Sequence, residues 1–332
     1  MNVTIKDLAK YCNYSVTTVS YALNGSKEIP ENTRKKILKA AEELNYVPSA
    51  YASGLKRKKS FNIGVFIPDF DGPIHHTVLS GLASGFKEYD SRYNMLVMIP
   101  DSNLSMIRSR MVDLAIIMDP KLDIKLLKDI ASVLPIVVLD KFASGDNIYM
   151  ADVNNEEGMY NQTIDLINSG CKHIAYLLGP HASYHNSTRF NGYKRALESK
   201  KIAFDESIVY DANSFTEEKG YQTIKEALKN NNLLFDALMC GNDELAIGAM
   251  KAIKEVGYNV PKDVKVTGFD NIDKASLISP SLSTISVDWF GYGRQVAKYA
   301  IDIINKRTTI EALYVNSANV IKRESSLEKN EI

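Results

Sequence analysis

TIKDLAKYCNYSVTTVSYALNG, residues 4–25, is the stretch on which the reading of this chain turns. Thr4 followed by Asp7 is a capping box, in which a hydroxyl and a carboxylate satisfy the free amides that open a helix. Ile5, Leu8, Ala9 and Cys12 recur at three- and four-residue steps, so the spacing predicts a helix over Ile5–Cys12 with one stripe to bury. Asn13 ends it, because asparagine tolerates the left-handed backbone better than most residues do. Ser15 caps a second helix, Val16–Leu23, which stops at Asn24-Gly25, and a third runs from about Pro30 through ENTRKKILKAAEEL to Asn45. Two short helices joined by a tight turn, with a third packed behind, form the helix-turn-helix plan, whose second helix enters the major groove. The exposed face of that helix carries Val16, Thr17, Ser20 and Tyr21. Helices of this size are common outside DNA-binding proteins, so the geometry by itself leaves other uses open.

Charge sharpens the reading. Residues 1–60 hold 11 Lys or Arg against 5 Asp or Glu, and the remainder holds 29 against 35, so a head of +6 precedes a body of −6. Such asymmetry suggests that the head alone meets a polyanion, nucleic acid first, the alternative being a solvated basic face. At 332 residues the chain exceeds what one core usually serves, which implies two or three domains. The longest apolar runs, such as IGVFIP and LPIVVL, fall far short of the roughly 20 residues needed to span a bilayer. With no secretory signal in MNVTIKDLAKYC and three scattered cysteines (Cys12, Cys171, Cys240), a reduced cytoplasmic location is expected, without membrane contact.

The first sixty residues closely resemble the head of the LacI/GalR family of bacterial transcription regulators. Asp7-Leu8-Ala9, Thr18-Val19-Ser20, Asn24-Gly25 and Asn45-Tyr46-Val47-Pro48 carry the likeness. By that resemblance Ser15, Val16, Thr17, Ser20, Tyr21 and Asn24 face operator DNA, with Lys6, Thr33 and Tyr46 beside them. Two departures matter: the family usually has arginine where Tyr21 stands and glycine where Asn13 stands. Arginine would read guanine through two hydrogen bonds, worth about 1–3 kcal/mol of discrimination, whereas tyrosine offers one hydroxyl and a ring. An altered operator preference is expected.

Residues 49–60, SAYASGLKRKKS, look helical, yet AYASGLK gives barely two turns, below the roughly 12–15 residues at which isolated helices persist in water. The resemblance makes this the family's hinge helix, ordered only when two copies pack in the minor groove and wedge a leucine between base pairs. Here the wedge is Leu55, with Ser49, Ala52 and Lys56 also at the DNA. A flexible basic linker is the plain alternative.

Beyond Ser60 short apolar runs (FNIGVFI, NMLVMI, DLAIIM, PIVVLD, HIAYLLG, FDALMC, VKVTGF) alternate with helical stretches, which argues for βαβ units and parallel sheets. Ligands in such folds bind beyond the carboxyl ends of the strands, where PDFDGPIHH, GPHASYHNSTR, CGND and GFDN place polar groups. Arg189, Gly192, Tyr193, Ala196 and Leu197, with Asn242-Asp243 and Gly268-Phe269-Asp270, match the same family's effector core. The implied fold class is α/β: an N-terminal all-α helix-turn-helix head joined by a hinge helix to a two-lobed periplasmic-binding-protein-like core of parallel sheets. Boundaries are expected at 1–48 (head), 49–60 (hinge and basic linker) and 61–332 (core), the first lobe being about 61–158 and 288–316 and the second about 159–287 and 317–332.

On family precedent Arg189, Asn242 and Asp270 bind a small-molecule effector, a sugar or sugar phosphate, with Asp71, His75 and Asn154 contributing and Phe215 and Trp289 supplying faces. The chemistry suits a polyol: carboxylates accept hydroxyl protons, guanidinium donates in a fixed fork, and aromatic planes cover C–H faces. The structural alternatives are Arg189 as a scaffold ion-pair partner, Asn242 as a helix cap, and Phe215 and Trp289 as plain core. Asn154-Asn155 stands where the family commonly has Asp-Asn, and the stretch between the second and third strands is about ten residues short, so a first-lobe helix is expected to be cut down. No GxxxxGK[ST], GxSxG, HExxH or GxGxxG occurs, and His181 and His185 share a loop without a metal-ligand pattern. The expectation is a homodimeric repressor of carbohydrate genes, with no catalysis, cofactor or metal, dimerised partly through TVLSGLASGFKEY, residues 77–89. A solute-binding protein and a sugar-processing enzyme are the competing readings.

Overall fold

The ends of the first helices explain why the head folds as it does. Asp7 N–H donates to Thr4 Oγ1 at 3.4 Å and Thr4 N–H donates to Asp7 Oδ2 at 2.9 Å, closing the capping box on α1 (Ile5–Cys12). Asn13 then takes the left-handed conformation, φ +58°, and turns the chain. Ser15 Oγ accepts from Thr18 N–H at 3.0 Å to start α2 (Val16–Leu23), and Pro30 precedes α3 (Glu31–Glu43). Leu8, Val19 and Ile37 are fully buried at the junction of the three helices, each worth roughly 1.5–3 kcal/mol. The computed structural model describes residues 3–47, 59–68, 70, 72, 74–99, 105–230, 232–315 and 318–327, and falls into two units, 1–60 and 61–332. The expected hinge contacts Ser49, Ala52, Leu55 and Lys56, and the expected ligand residue Asp71, lie outside the described residues.

The second unit alternates strands with helices in two lobes. The first contains β1 (Asn62–Phe66), α4 (His75–Tyr89), β2 (Asn94–Met98), α5 (Ser105–Arg108), β3 (Leu114–Ile117), α6 (Ile124–Ala131), β4 (Ile136–Val138) and β5 (Ile148–Val153). Its sheet is completed by β11 (Ala312–Val315), in the order β11-β5-β4-β3-β1-β2, every neighbour parallel. Between β2 and β3 the described helix, α5, has four residues. Val65, Ile116 and Val137 are fully buried, as strands covered on both faces require.

The second lobe contains α7 (Asn155–Asn168), β6 (Ile174–Leu178), α8 (Tyr184–Ser199), β7 (Val209–Asp211), α9 (Glu217–Ala227), β8 (Ala237–Cys240), α10 (Asp243–Glu255), β9 (Lys265–Thr267) and α11 (Asp273–Leu277). Its sheet runs β7-β6-β8-β9, again all parallel. β10 (Thr284–Ser286) pairs antiparallel with β12 (Asn319–Ile321), and between them α12 (Trp289–Ile304) and β11 return to the first lobe. The chain thus crosses between lobes after β5, after β10 and after β11. The whole of α7 packs on α8: a Cβ on Gly192 would stand 2.2 Å from Glu156 O. In the first lobe α4 meets α12 as closely, since a Cβ on Gly81 would stand 2.2 Å from Phe290 O and one on Gly293 2.4 Å from Val78 O. The glycine side of α4 is therefore occupied within the chain, leaving Ser80, Ala83 and Lys87 outward.

Candidate nucleic-acid interface and ligand cleft

Packing Val19 and Ala22 inward leaves the opposite side of α2 to solvent. Val16 is 42% exposed and Tyr21 37% exposed, Thr17 is exposed, and Ser20 is half-buried. Ser15 spends its hydroxyl on the cap, and Asn24 Nδ2 donates to Ser20 O at 2.6 Å, fixing the end of the helix. Lys6 is exposed on α1, while Thr33 and Tyr46 are half-buried; burial raises the Tyr46 phenol, which keeps it protonated.

The cleft lies at the carboxyl ends of the strands of both lobes, as parallel sheets dictate. Arg189, on the first turns of α8, is 2% exposed. Its Nε donates to Asn155 Oδ1 at 2.8 Å, Nη1 to Gly241 O at 2.8 Å and Nη2 to Asp270 Oδ1 at 3.1 Å. The guanidinium stacks 3.7 Å from the Phe269 ring centroid and 5.9 Å from that of Phe215. Asp270 reaches it from a backbone at φ +109°, unusual for a residue with a side chain. Burial raises the Asp270 carboxyl, and Arg189 and His185 work against that rise. Behind it Asp243 accepts from Thr284 Oγ1 at 2.5 Å and from Ile272 N–H at 2.9 Å, with its carboxyl pushed well up by burial and by Asp270.

One turn before Arg189, His185 sits between two carboxylates of the first lobe. Its Nδ1 is 3.4 Å from Asp140 Oδ1 and its Nε2 is 2.9 Å from Asp152 Oδ1. Burial opposes the imidazolium, but Asp140 and Asp152 outweigh it, and the pKa is raised. Asp140 also accepts from the His185 N–H at 2.8 Å and from Ser183 Oγ at 3.0 Å, so a first-lobe carboxylate closes the N-terminus of a second-lobe helix.

Of the expected ligand residues, Arg189, Asp270 and Phe215 come together here. Trp289 joins them, its ring 6.4 Å from that of His185; it is 5% exposed, and its buried Nε1–H has no hydrogen-bond partner among the described residues. Asn242 acts as the cap of α10, accepting from Leu245 N–H at 2.9 Å while donating to Phe215 O at 3.1 Å. Asn154 caps α7 through Glu157 N–H at 3.2 Å, and His75 opens α4. Asp270 and Trp289 continue into a cavity of about 440 Å³ between the lobes, walled also by Ile74, Thr77, Ile272 and Val287. Asp140, Asp152, Asn155 and His185 were not among the expected site residues. Two of them carried a signal, since the runs VVLD and YMAD each reach the strand end on a carboxylate. His181 belongs elsewhere, 2.8 Å from Asp211.

Residues 4–49 match the family described as bacterial regulatory proteins, lacI family, and residues 164–326 match a periplasmic binding protein-like domain. The HTH-type transcriptional regulator RegA of Clostridium saccharobutylicum is 30% identical over 98% of this chain and 100% of its own length. The probable HTH-type transcriptional repressor ExuR of Bacillus subtilis (strain 168) is 35% identical over 85% of this chain and 86% of its own. Among solved structures, the lac repressor dimer bound to operator and the anti-inducer ONPF shares the fold, with a TM-score of 0.83 at 24% identity, covering 99% of this chain and 100% of that one. A LacI family transcriptional regulator from Enterococcus faecium with bound ribose superposes with a TM-score of 0.69 at 26% identity, covering 80% of this chain and 98% of that one.

Proposed function

The chain belongs to the lacI family of bacterial regulatory proteins, and on that premise we propose that it represses carbohydrate-utilisation genes as a homodimer whose grip on DNA is set by a sugar-like effector held between the lobes. Each head takes one half-site of a pseudo-palindromic operator. Val16, Thr17, Ser20, Tyr21 and Asn24 meet base edges; Lys6, Ser15, Thr33 and Tyr46 hold the phosphate backbone, which fixes register without reading sequence. Residues 49–56 order between the paired copies in the minor groove, with Leu55 as wedge, and the opened base step costs a few kcal/mol that the bent duplex offsets through new contacts. As a regulator of genes the protein works in the cytoplasm; among the described residues no helix is long and apolar enough to cross a membrane. Its relatives are transcriptional regulators and not enzymes.

In the cleft Arg189 and Asp270 bind effector hydroxyls, Trp289 and Phe215 cover its C–H faces, and Asn242, Asn154, His75 and Asp71 complete the wall. Effector changes which lobe arrangement is favoured and so whether the hinge can order, with a coupling of about 1–3 kcal/mol that runs equally from DNA to effector. The observation that supports this best is the α8 cluster, where Arg189 pairs with Asp270 and His185 meets two first-lobe carboxylates beside a cavity between the lobes. Gel retardation with the DNA upstream of the protein's own gene tests it. A shift at low salt that fades steeply as salt rises is expected; no shift at low salt, with or without a panel of mono- and disaccharides, sinks the reading.

A further inference from the structure

Acids outnumber bases around the interlobe cavity. Glu244, Asp270, Asp273 and Asp288 line it, against Lys274 and His76. Lys274 Nζ is bonded to Glu217, which it shares with Lys251, and His76 Nε2 lies 3.2 Å from Thr77 Oγ1. The deeper cations are committed as well. Arg189 spends itself on Asp270, Asn155 and Gly241 O, and His185 sits between Asp140 and Asp152. The two long helices that open at the cavity carry their own acids there: Asp288 Oδ1 accepts from Gly291 N–H at 2.7 Å at the start of α12, and Asp243 and Glu244 fill the first turn of α10. Those helix ends are therefore not vacant for an anion.

Trp289 lines the cavity at 5% exposure and offers its ring to the C–H face of a sugar. Hydroxyls donate to the surrounding carboxylates, which an ionised phosphate ester or a second ionised carboxylate cannot do. A like charge brought beside Glu244, Asp273 and Asp288, which have no ion-pair partner among the described residues, is repelled at close range.

Resting on the cleft reading above, we infer that the effector is a polyhydroxylated molecule with no negative charge, a neutral sugar or an amino sugar, and that the site discriminates against sugar phosphates and uronates. Glu244, Asp273 and Asp288 supply the rejection, and the same carboxylates, accepting from hydroxyls beside the Trp289 ring, supply the acceptance.

The test is calorimetry on the full chain with matched probes: D-ribose with D-ribose 5-phosphate, D-glucose with D-glucosamine, D-glucose 6-phosphate and D-glucuronate, D-galactose with D-galacturonate, and cellobiose. The expected result is that a neutral or amino member binds and its anionic counterpart binds about tenfold or more weakly, the factor one unrelieved like-charge contact gives. An anionic member that binds as tightly as its parent, or more tightly, overturns the inference while leaving a carbohydrate cleft in place. Silence from every probe removes the carbohydrate reading itself, and the inference with it. In the Glu244→Gln/Asp273→Asn variant the ratio between a neutral binder and its anionic counterpart should narrow; an unchanged ratio removes these two residues as its source.

Discussion

The head and the cleft offer their chemistry in opposite ways. Val16, Thr17 and Tyr21 stand exposed on a helix whose other side is locked in a small core, whereas Arg189 and Asp270 are buried against each other within the second lobe and His185, on the same helix as Arg189, is buried against two carboxylates of the first lobe. Recognition by the head adds contacts to a surface that already exists. Recognition in the cleft has to proceed through contacts that already exist, and a ligand that displaces His185 from Asp140 or Asp152 alters what joins the lobes. That is the difference between a surface that reads and a site that switches.

The largest expected effect tests the cleft side of this contrast. Arg189→Leu leaves Asp270 buried without its cation and should cost about 3–5 kcal/mol in urea unfolding of the core, because removing one partner of a buried pair strands the other. A loss below about 1 kcal/mol, the range of an exposed pair, would mean that the cluster is far wetter than its burial implies. Next, Leu8→Ala opens a hole in the head and should cost about 2–5 kcal/mol there. Calorimetric melting should show the head transition falling while the core transition holds; a parallel drop in both would join units that the contrast keeps apart. Tyr21→Ala should leave head stability within about 0.5 kcal/mol, as for a surface change, yet weaken operator binding by about 1–3 kcal/mol, as for a base-reading side chain. Equal affinity in a quantitative gel shift removes Tyr21 from the reading surface. Thr4→Ala deletes the α1 cap and should cost about 1 kcal/mol of head stability, read from its thermal midpoint.

The smallest effect concerns His185. Its folded pKa is raised, so its contribution to stability is fully present below the unfolded value of about 6.5 and is lost as pH rises through the folded value. The core of the wild type should therefore lose more stability between mildly acidic and mildly basic pH than the core of His185→Gln. Indistinguishable pH profiles for the two proteins would mean that the pair of carboxylates does not hold a proton there.

How far each region was legible follows from the range of its contacts. The head is written in local rules: Thr4 with Asp7, Asn13, Ser15 and the Leu8–Ala9 stripe all act within a turn or two, and α1, α2 and the start of α3 fall where spacing places them. The apolar runs named β1 to β4, β6, β8 and β9 were legible for the same reason. β5 was not, because Asp152 interrupts its apolar pattern; β7, β10 and β12 are three-residue strands that, unlike β4 and β9, sit in no longer apolar run. In the cleft, motif likeness brought Arg189 and Asp270 forward, but nothing local ties Asp140 to His185 across 45 residues, or Arg189 to Asp270 across 81. The first pairing exists only once two sheets face each other, and the second only once the second lobe's sheet is assembled. Asn242 shows the limit from the other side: its neighbours in sequence made the helix cap foreseeable, and the cap consumes the amide oxygen that a ligand would use.

The seating of α12 and β11 against the first lobe has a consequence for how the molecule is made. A ribosome delivers the head first, and every residue of its core, from Leu8 to Ala41, emerges before the body begins. The first lobe, although next in line, lacks its edge strand and the helix opposite Gly81 until residue 315 has been added. Nascent α4 must therefore wait with a bare glycine face while the entire second lobe is synthesised, which makes that interval the one in which a chaperone or a neighbouring chain has most to grasp.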